Sequence, residues 1–291
     1  MVESVPPQLI ALAAALSYAT SGISAKRGMR YSTPVTVTLV SLTVHALGLW
    51  SILLLTGGVP AVSAWVLMLF FVTGTLQPVI RLCTYAGIFY LGASRGTTVR
   101  SSHPLFSTGI AILALGEEVN VWIIMGTLLI VGGVTLISWQ PQAESGSYRW
   151  WHLGFPLGAA LLAGISHPIR RYALTLANEP LFFAAVVGSV SLGWLLSYLA
   201  LPIKGERPRW HRKAAVPFLT AGVFETLGIY LVITALSLGH VVIVSPIVAT
   251  SPLWILLGTW LFLRGIETLN WRTIAGAVSV VTGTVAISLV R

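Results

Sequence analysis

Seven of the ionisable side chains inside the apolar runs of this sequence are the groups best placed to do chemistry. Arg81, Arg100, Arg170, Arg171 and Glu225 carry charge, and His103 and His167 can acquire it. A charge in hydrocarbon costs about 2.5–3.5 kcal/mol on insertion scales, so such groups face a partner or a water-filled space. Gln77, Arg81 and Tyr85 follow one another by a helical turn and share a face. Arg100 and His103 share another face, just beyond a short Leu91-Gly92 turn, which predicts similar depths for Arg81 and Arg100. Two guanidinium forks facing one space suit a carboxylate or a phosphate. The competing reading has one Arg snorkelling to the interface and the other pairing with a helix C-terminus or with Glu225. His167, Arg170 and Arg171 stand at i, i+3 and i+4 near the end of their run, where substrate contact, a gate and snorkelling are all open. Glu225 is the single acidic residue in mid-run. It can pair with an Arg, take up a proton or hold a substrate amine.

Other residues bear on movement rather than on chemistry. Pro104 and Pro252, with Pro246 shortly before the latter, remove backbone donors and predict breaks in their helices, as static kinks or as gates. Gly126, Gly133, Gly276 and Gly283 permit close helix approach and read as packing. Glu117, Glu118 and Glu267 lie at run ends and are expected to be solvated. Most tryptophans lie at run ends as interface anchors, whereas Trp254, beside Pro252, is placed near a pocket. Motifs for metallohydrolases, serine hydrolases and nucleotide-binding loops are absent, as is any His/Cys cluster with metal spacing. Enzyme, metal and cofactor roles are therefore not expected.

The elements that position these groups are apolar helices. The chain is 56% hydrophobic and only 9% charged, against about 25% charged in a soluble domain. Ten runs approach the roughly 20 residues needed to cross a bilayer: 8–27, 34–56, 64–91, 95–116, 119–139, 152–176, 180–201, 213–238, 240–263 and 270–290. Two copies of one unit emerge, residues 1–140 and 152–291, with a polar linker at 141–151. Leu91-Gly92 matches Leu238-Gly239, Pro104 matches Pro252, Gly126 and Gly133 match Gly276 and Gly283, and Pro34 matches Pro180. Five spans per copy is odd, so the second copy enters the membrane upside down. The expected fold is all-α and integral to the membrane, ten helices as two inverted five-helix repeats. Inverted repeats place a carrier's binding site at mid-bilayer between the copies.

The net charge of +9 does not point to nucleic acid, because the cations cluster in short loops. Odd-numbered loops hold 12 of the 17 Lys and Arg, while the termini and even-numbered loops hold only Arg291. If positive loops stay cytoplasmic, both termini face outward.

The Leu238-Gly239 and Ser251-Pro252 opening of the ninth run, Gly116-Glu117 ending the fourth, and the duplicated glycine spacing together resemble the drug/metabolite transporter superfamily in its ten-span EamA form. The resemblance implies a permease working by alternating access, with a cavity lined by spans 1, 3, 4, 6, 8 and 9. It also implies cytoplasmic termini, against this chain's charge bias. The four-span multidrug relatives carry a coupling Glu eight residues before a Lys. Here that position is Tyr18, with Gly164 in the second copy, so their coupling cannot be carried over.

The expectation is a secondary transporter, exporter or exchanger, of a small organic solute in a bacterial cytoplasmic membrane. A wet, cationic chamber at mid-bilayer would be lined by Gln77, Arg81, Tyr85, Arg100, His103, His167, Arg170, Glu225 and Trp254. The excess of Arg favours anionic or zwitterionic solutes such as amino acids or organic acids. An exporter of hydrophobic cations is the alternative and needs Glu225 free of any Arg, and a non-transporting scaffold is the reading from another class. Expected partners are the substrate, the bilayer and a coupling proton or counter-substrate, with monomer and homodimer both open.

Overall fold

The computed structural model describes residues 5–138, 149–201, 206–262 and 271–288, and every regular element among them is helical. The α-helices in order are α1 Pro7–Gly28, α2 Pro34–Thr56, α3 Ala64–Leu91, α4 Ala93–Arg100, α5 His103–Leu115, α6 Val121–Ser138, α7 Gly154–Leu176, α8 Pro180–Ala200, α9 Arg212–Leu238, α10 Val241–Val248, α11 Ser251–Phe262 and α12 Trp271–Ser288, with one 3-10 turn at Trp150–Leu153 leading into α7. Six helical runs are long and apolar enough to cross a membrane by length and composition, including Val241–Gly258 taken through its break. The chain is an all-α integral membrane protein of ten spans in two inverted repeats, with spans 4 and 9 each made of two helices. The expected linker lies mostly within residues 139–148, outside the described residues.

Local sequence sets the helix ends. Pro7, Pro34 and Pro180 open their helices, where a missing N–H costs nothing. Thr33 and Ser63 cap the N-termini of α2 and α3 by accepting from Thr36 N and Val66 N. Gly92 and Gly116 end α3 and α5 with φ of 88° and 65°, a region that side chains disfavour.

Spans 4 and 9 break at Ser101–Ser102 and Ala249–Thr250, and Pro104 and Pro252 are the second residues of α5 and α11. Each proline thus starts the second helix of its span. Pro246 lies within α10 and marks no break.

Helix neighbours obey the internal two-fold. Span 1 packs on span 8 (α1 on α9) as span 6 packs on span 3 (α7 on α3), and α2 pairs with α8 and α6 with α12, each with its own symmetry mate. Two bundles result. One holds α3, α4–α5 and α7, and the other holds α9, α10–α11 and α1. The α6–α12 pair is close because glycines meet backbone. A Cβ on Gly126 would lie 2.7 Å from Gly283 O, and one on Gly133 would lie 2.6 Å from Gly276 O. Helix pairs in lipid associate through this kind of approach.

Candidate polar site between the two bundles

Arg81 is held from one side by α2. Its Nη1 donates to Ser41 Oγ at 3.1 Å and its Nη2 lies 3.1 Å from His45 Nδ1. His45 Nε2 stands 3.0 Å from Ala184 O, which accepts only, so the proton sits on Nε2 and Nδ1 is the acceptor for Arg81. On the other side Glu225 Oε1 is 3.9 Å from Arg81 Nε, an ion pair without a hydrogen bond. Ser21 joins α1 to this group. Its Oγ lies 3.0 Å from both Glu225 Oε2 and Ala221 O and 3.4 Å from Tyr85 OH.

Arg100 is turned elsewhere. Its guanidinium carbon sits 5.4 Å from the Tyr18 ring centre, within cation–π range. Arg81 and Arg100 therefore do not point into one open chamber, as their depths had suggested. Tyr18, Thr84, Tyr85, Arg100, Glu225 and Ser251 do line one small space of about 20 Å³. That is room for about one water. The space these side chains line is narrow, where an open chamber was expected.

A second cluster ties spans 3, 4, 6 and 9. Arg170 Nη2 donates to Gln77 Oε1 at 2.6 Å. Pro104 has no N–H for Arg100 O, and His103 Nδ1 fills that role at 3.2 Å. His103 Nε2 is enclosed without a hydrogen-bond partner among the described residues. The His103 ring meets His167 edge to face at 5.1 Å, and His167 Nδ1 lies 3.2 Å from Ser245 Oγ, itself 2.6 Å from Ser107 Oγ. Trp254 is half-buried with Nε1 enclosed and unpartnered, outside the small central space. Arg81 Nε, Arg100 Nε and Arg170 Nε are likewise enclosed without a hydrogen bond among the described residues.

At the face bearing the even-numbered loops, Glu117 is buried rather than solvated. Its two oxygens accept from Val241 N and Val242 N at 3.0 Å each, capping α10 from the other repeat. His240 Nδ1 stands 3.6 Å away. A carboxylate on two orphan N–H groups of a helix start is favoured by hydrogen bonding and by the helix dipole. Arg171 complements the adjoining helix end, with Nη1 donating to Leu236 O at 2.9 Å and Ser237 O at 3.2 Å. A cavity of about 800 Å³ opens beside them, lined by Glu117, Glu118, Asn120, Arg171, Tyr172 and His240 among others. Glu118 is exposed as expected, and Glu267 lies outside the described residues.

Sequence reasoning missed Ser21, Ser41, His45, Ser107, Ser245 and the capping role of Glu117. Ser41 and His45 are i and i+4 on one helix, a polar stripe in an apolar run that could have flagged them. Ser21 and Ser245 had no such signal, because a lone hydroxyl in a membrane helix usually bonds its own backbone.

The EamA-like transporter family matches the chain twice, over residues 6–139 and 149–289. No curated protein matches. A solved structure described only as a crystal structure of a protein superposes with a TM-score of 0.75 at 14% identity, covering 98% of this chain and 99% of the other. At that identity the likeness concerns the fold.

Proposed function

We propose, starting from the fact that the chain belongs to the EamA-like transporter family and so is a membrane transporter of small solutes, that it carries small anionic or zwitterionic organic solutes by alternating access. The observation that supports this reading is the charge at the seam between the bundles. Arg81 and Arg170 are fully buried, Arg100 is half-buried, and Glu225 is the one carboxylate among them. Among the described residues, the Nε donors of all three guanidiniums lack a hydrogen-bond acceptor. An unmade buried hydrogen bond costs about 1–3 kcal/mol, so an oxygen-rich guest gains by supplying the acceptors. The central space of about 20 Å³ holds no organic solute, which fits an occluded stage of the cycle with the site collapsed on itself. Opening one seam would separate Arg81 from Glu225 and expose both.

A carrier of hydrophobic cations requires a carboxylate free of guanidinium, and Arg81 stands 3.9 Å from Glu225. The Lys and Arg bias places the odd-numbered loops in the cytoplasm and the termini outside. The test is counterflow in proteoliposomes with amino acids, organic acids and quaternary ammonium compounds, with and without a pH gradient. Exchange of carboxylate solutes, reduced at least tenfold in Arg170→Gln and Arg100→Gln, is the expected result. Transport of quaternary ammonium compounds alone would overturn the reading.

A further inference from the structure

Two cations outside the polar site occupy equivalent places on opposite faces of the membrane. Arg171, near the end of α7, reaches across the seam and donates to Leu236 O and Ser237 O in the last turn of α9. Lys26, near the end of α1, reaches the other way and donates from Nζ to Ile88 O at 3.4 Å, in the last turn of α3. Pro34 matches Pro180, so Lys26 falls beside Arg171 in the aligned repeats, one residue out of register. Counting spans puts the two contacts on different sides. α7 and α9 end at even-numbered loops, and α1 and α3 end at odd-numbered loops.

We propose that Lys26 and Arg171 are the paired gate latches of the transport cycle, each holding one face shut. In both cases the donor belongs to one bundle and the acceptor to the other, so neither contact survives the parting of the bundles at its own face. The physics is the same at each face. The last carbonyls of a helix carry the negative end of its dipole, so a cation there is held by hydrogen bond and by field, although Lys26 shares its carbonyl with the capping Gly92 N–H, which bonds Ile88 O at 3.1 Å. Neither residue touches the central space. Their role is to set which face is closed, not to bind substrate. This rests on the alternating-access reading, and it adds the residues that bias the alternation.

The sign of the effect separates a latch from an ordinary helix cap. Removing Lys26 must favour the state open at the odd-loop face, and removing Arg171 must favour the state open at the even-loop face. A charged hydrogen bond is worth about one tenfold step in an equilibrium, so losing Arg171, at 2.9 Å from its carbonyl, moves the ratio of states about tenfold, and losing Lys26, at the longer 3.4 Å, moves it less and in the opposite direction. The experiment replaces Cys83 by Ala and attaches spin labels at Arg30 and Phe89 to read the odd-loop mouth, or at Leu9 and Leu176 to read the even-loop mouth. These four residues are exposed. Pulsed electron resonance in nanodiscs then gives the distance distribution at each mouth. Lys26→Met is expected to lengthen the 30–89 distances and shorten the 9–176 distances, and Arg171→Gln to do the reverse. The double variant should return towards the unmodified protein, and Lys26→Arg and Arg171→Lys should resemble it. Shifts of the same sign, or lower thermal stability with no shift while the unmodified protein populates both states, would overturn the latches and leave alternating access standing. A protein with a single distance at both mouths, with and without transported solute, would overturn alternating access and the latches together.

Discussion

Neutralising Glu225 tests the charge balance at the seam most directly. Glu225→Gln keeps the side-chain volume and an acceptor for Ser21, and removes only the charge that stands 3.9 Å from Arg81 Nε. Taking one partner from a buried ion pair costs about 3–5 kcal/mol, because the other charge stays buried and uncompensated. Two features of this site lower that figure. No hydrogen bond joins the pair, and Arg81 keeps Ser41 and His45 as neutral acceptors. We expect a loss of about 2 kcal/mol, below that range and near one charged hydrogen bond. Arg81→Met, which leaves the carboxylate with Ser21, is expected to cost a similar amount. The double variant has no orphaned charge, so its loss should fall short of the sum by about 1–2 kcal/mol, the usual size of coupling between contacting groups. The assay is reversible denaturant unfolding in mixed micelles, followed by tryptophan fluorescence, for the four members of the cycle. Coupling within the roughly 0.3–0.5 kcal/mol expected of independent sites would falsify the pairing and leave Glu225 a free carboxylate.

His45→Ala should release Arg81 from α2. It leaves an unmade partner for Ala184 O and for Nη2, a stability loss of about 1–3 kcal/mol, and raises the KM for a carboxylate solute more than it lowers the maximal rate. An unchanged KM would make His45 packing alone. Gly133→Leu drives a side chain into Gly276 O, 2.6 Å from where its Cβ would be, and into Ser279 and Val280 at 2.9 Å. It should part α6 from α12 at a cost of at least about 1–3 kcal/mol, seen as a lower melting temperature in detergent, and wild-type stability would contradict the close packing. Glu117→Gln keeps one acceptor for the start of α10 but loses the charge and the second oxygen. About 1 kcal/mol should be lost, and amide exchange at Val241 and Val242 should accelerate relative to the middle of α9. Unchanged protection there would show that the cap contributes nothing.

Membrane topology was legible in the sequence because hydrocarbon punishes polarity residue by residue. Runs such as 34–56 and 64–91 coincide with α2 and α3 to the residue. The halves of spans 4 and 9 were foreshadowed by Pro104 and Pro252, since a proline's missing N–H has a local effect that needs no knowledge of neighbours. The partners of the buried charges were not legible in the same way. Arg81 and Arg100 lie on adjoining spans, but a guanidinium on a long flexible stem settles wherever acceptors stand. The acceptors of Arg81 are on α2, which sequence reasoning had left out of the site. Glu117 was misjudged for a related reason. A carboxylate after a helix looks solvated until another repeat brings an uncapped helix start to meet it, and that meeting is tertiary.

Bond length sorts this polar network into parts that can stay fixed and parts that can give way. Within one bundle, Arg170 meets Gln77 at 2.6 Å, while Arg81 meets its 3.1 Å acceptors on α2, a helix that packs on α9 of the other bundle as well as on α3. Across the seam at mid-depth, Arg81 to Glu225 spans 3.9 Å and Ser21 to Tyr85 spans 3.4 Å, lengths at which little hydrogen-bond energy is lost on separation. The even-loop side of the seam is tighter, with Ser107 to Ser245 at 2.6 Å and Glu117 at 3.0 Å from both of its donors. The long contacts at the centre can part with the bundle interiors undisturbed, and the shorter contacts of the even-loop face are those that must break for that face to open. The guanidiniums move with their own bundle, and the carboxylate moves with the other. A charged centre assembled from both repeats is thereby taken apart and rebuilt by rigid-body motion, with no buried charge dragged through lipid.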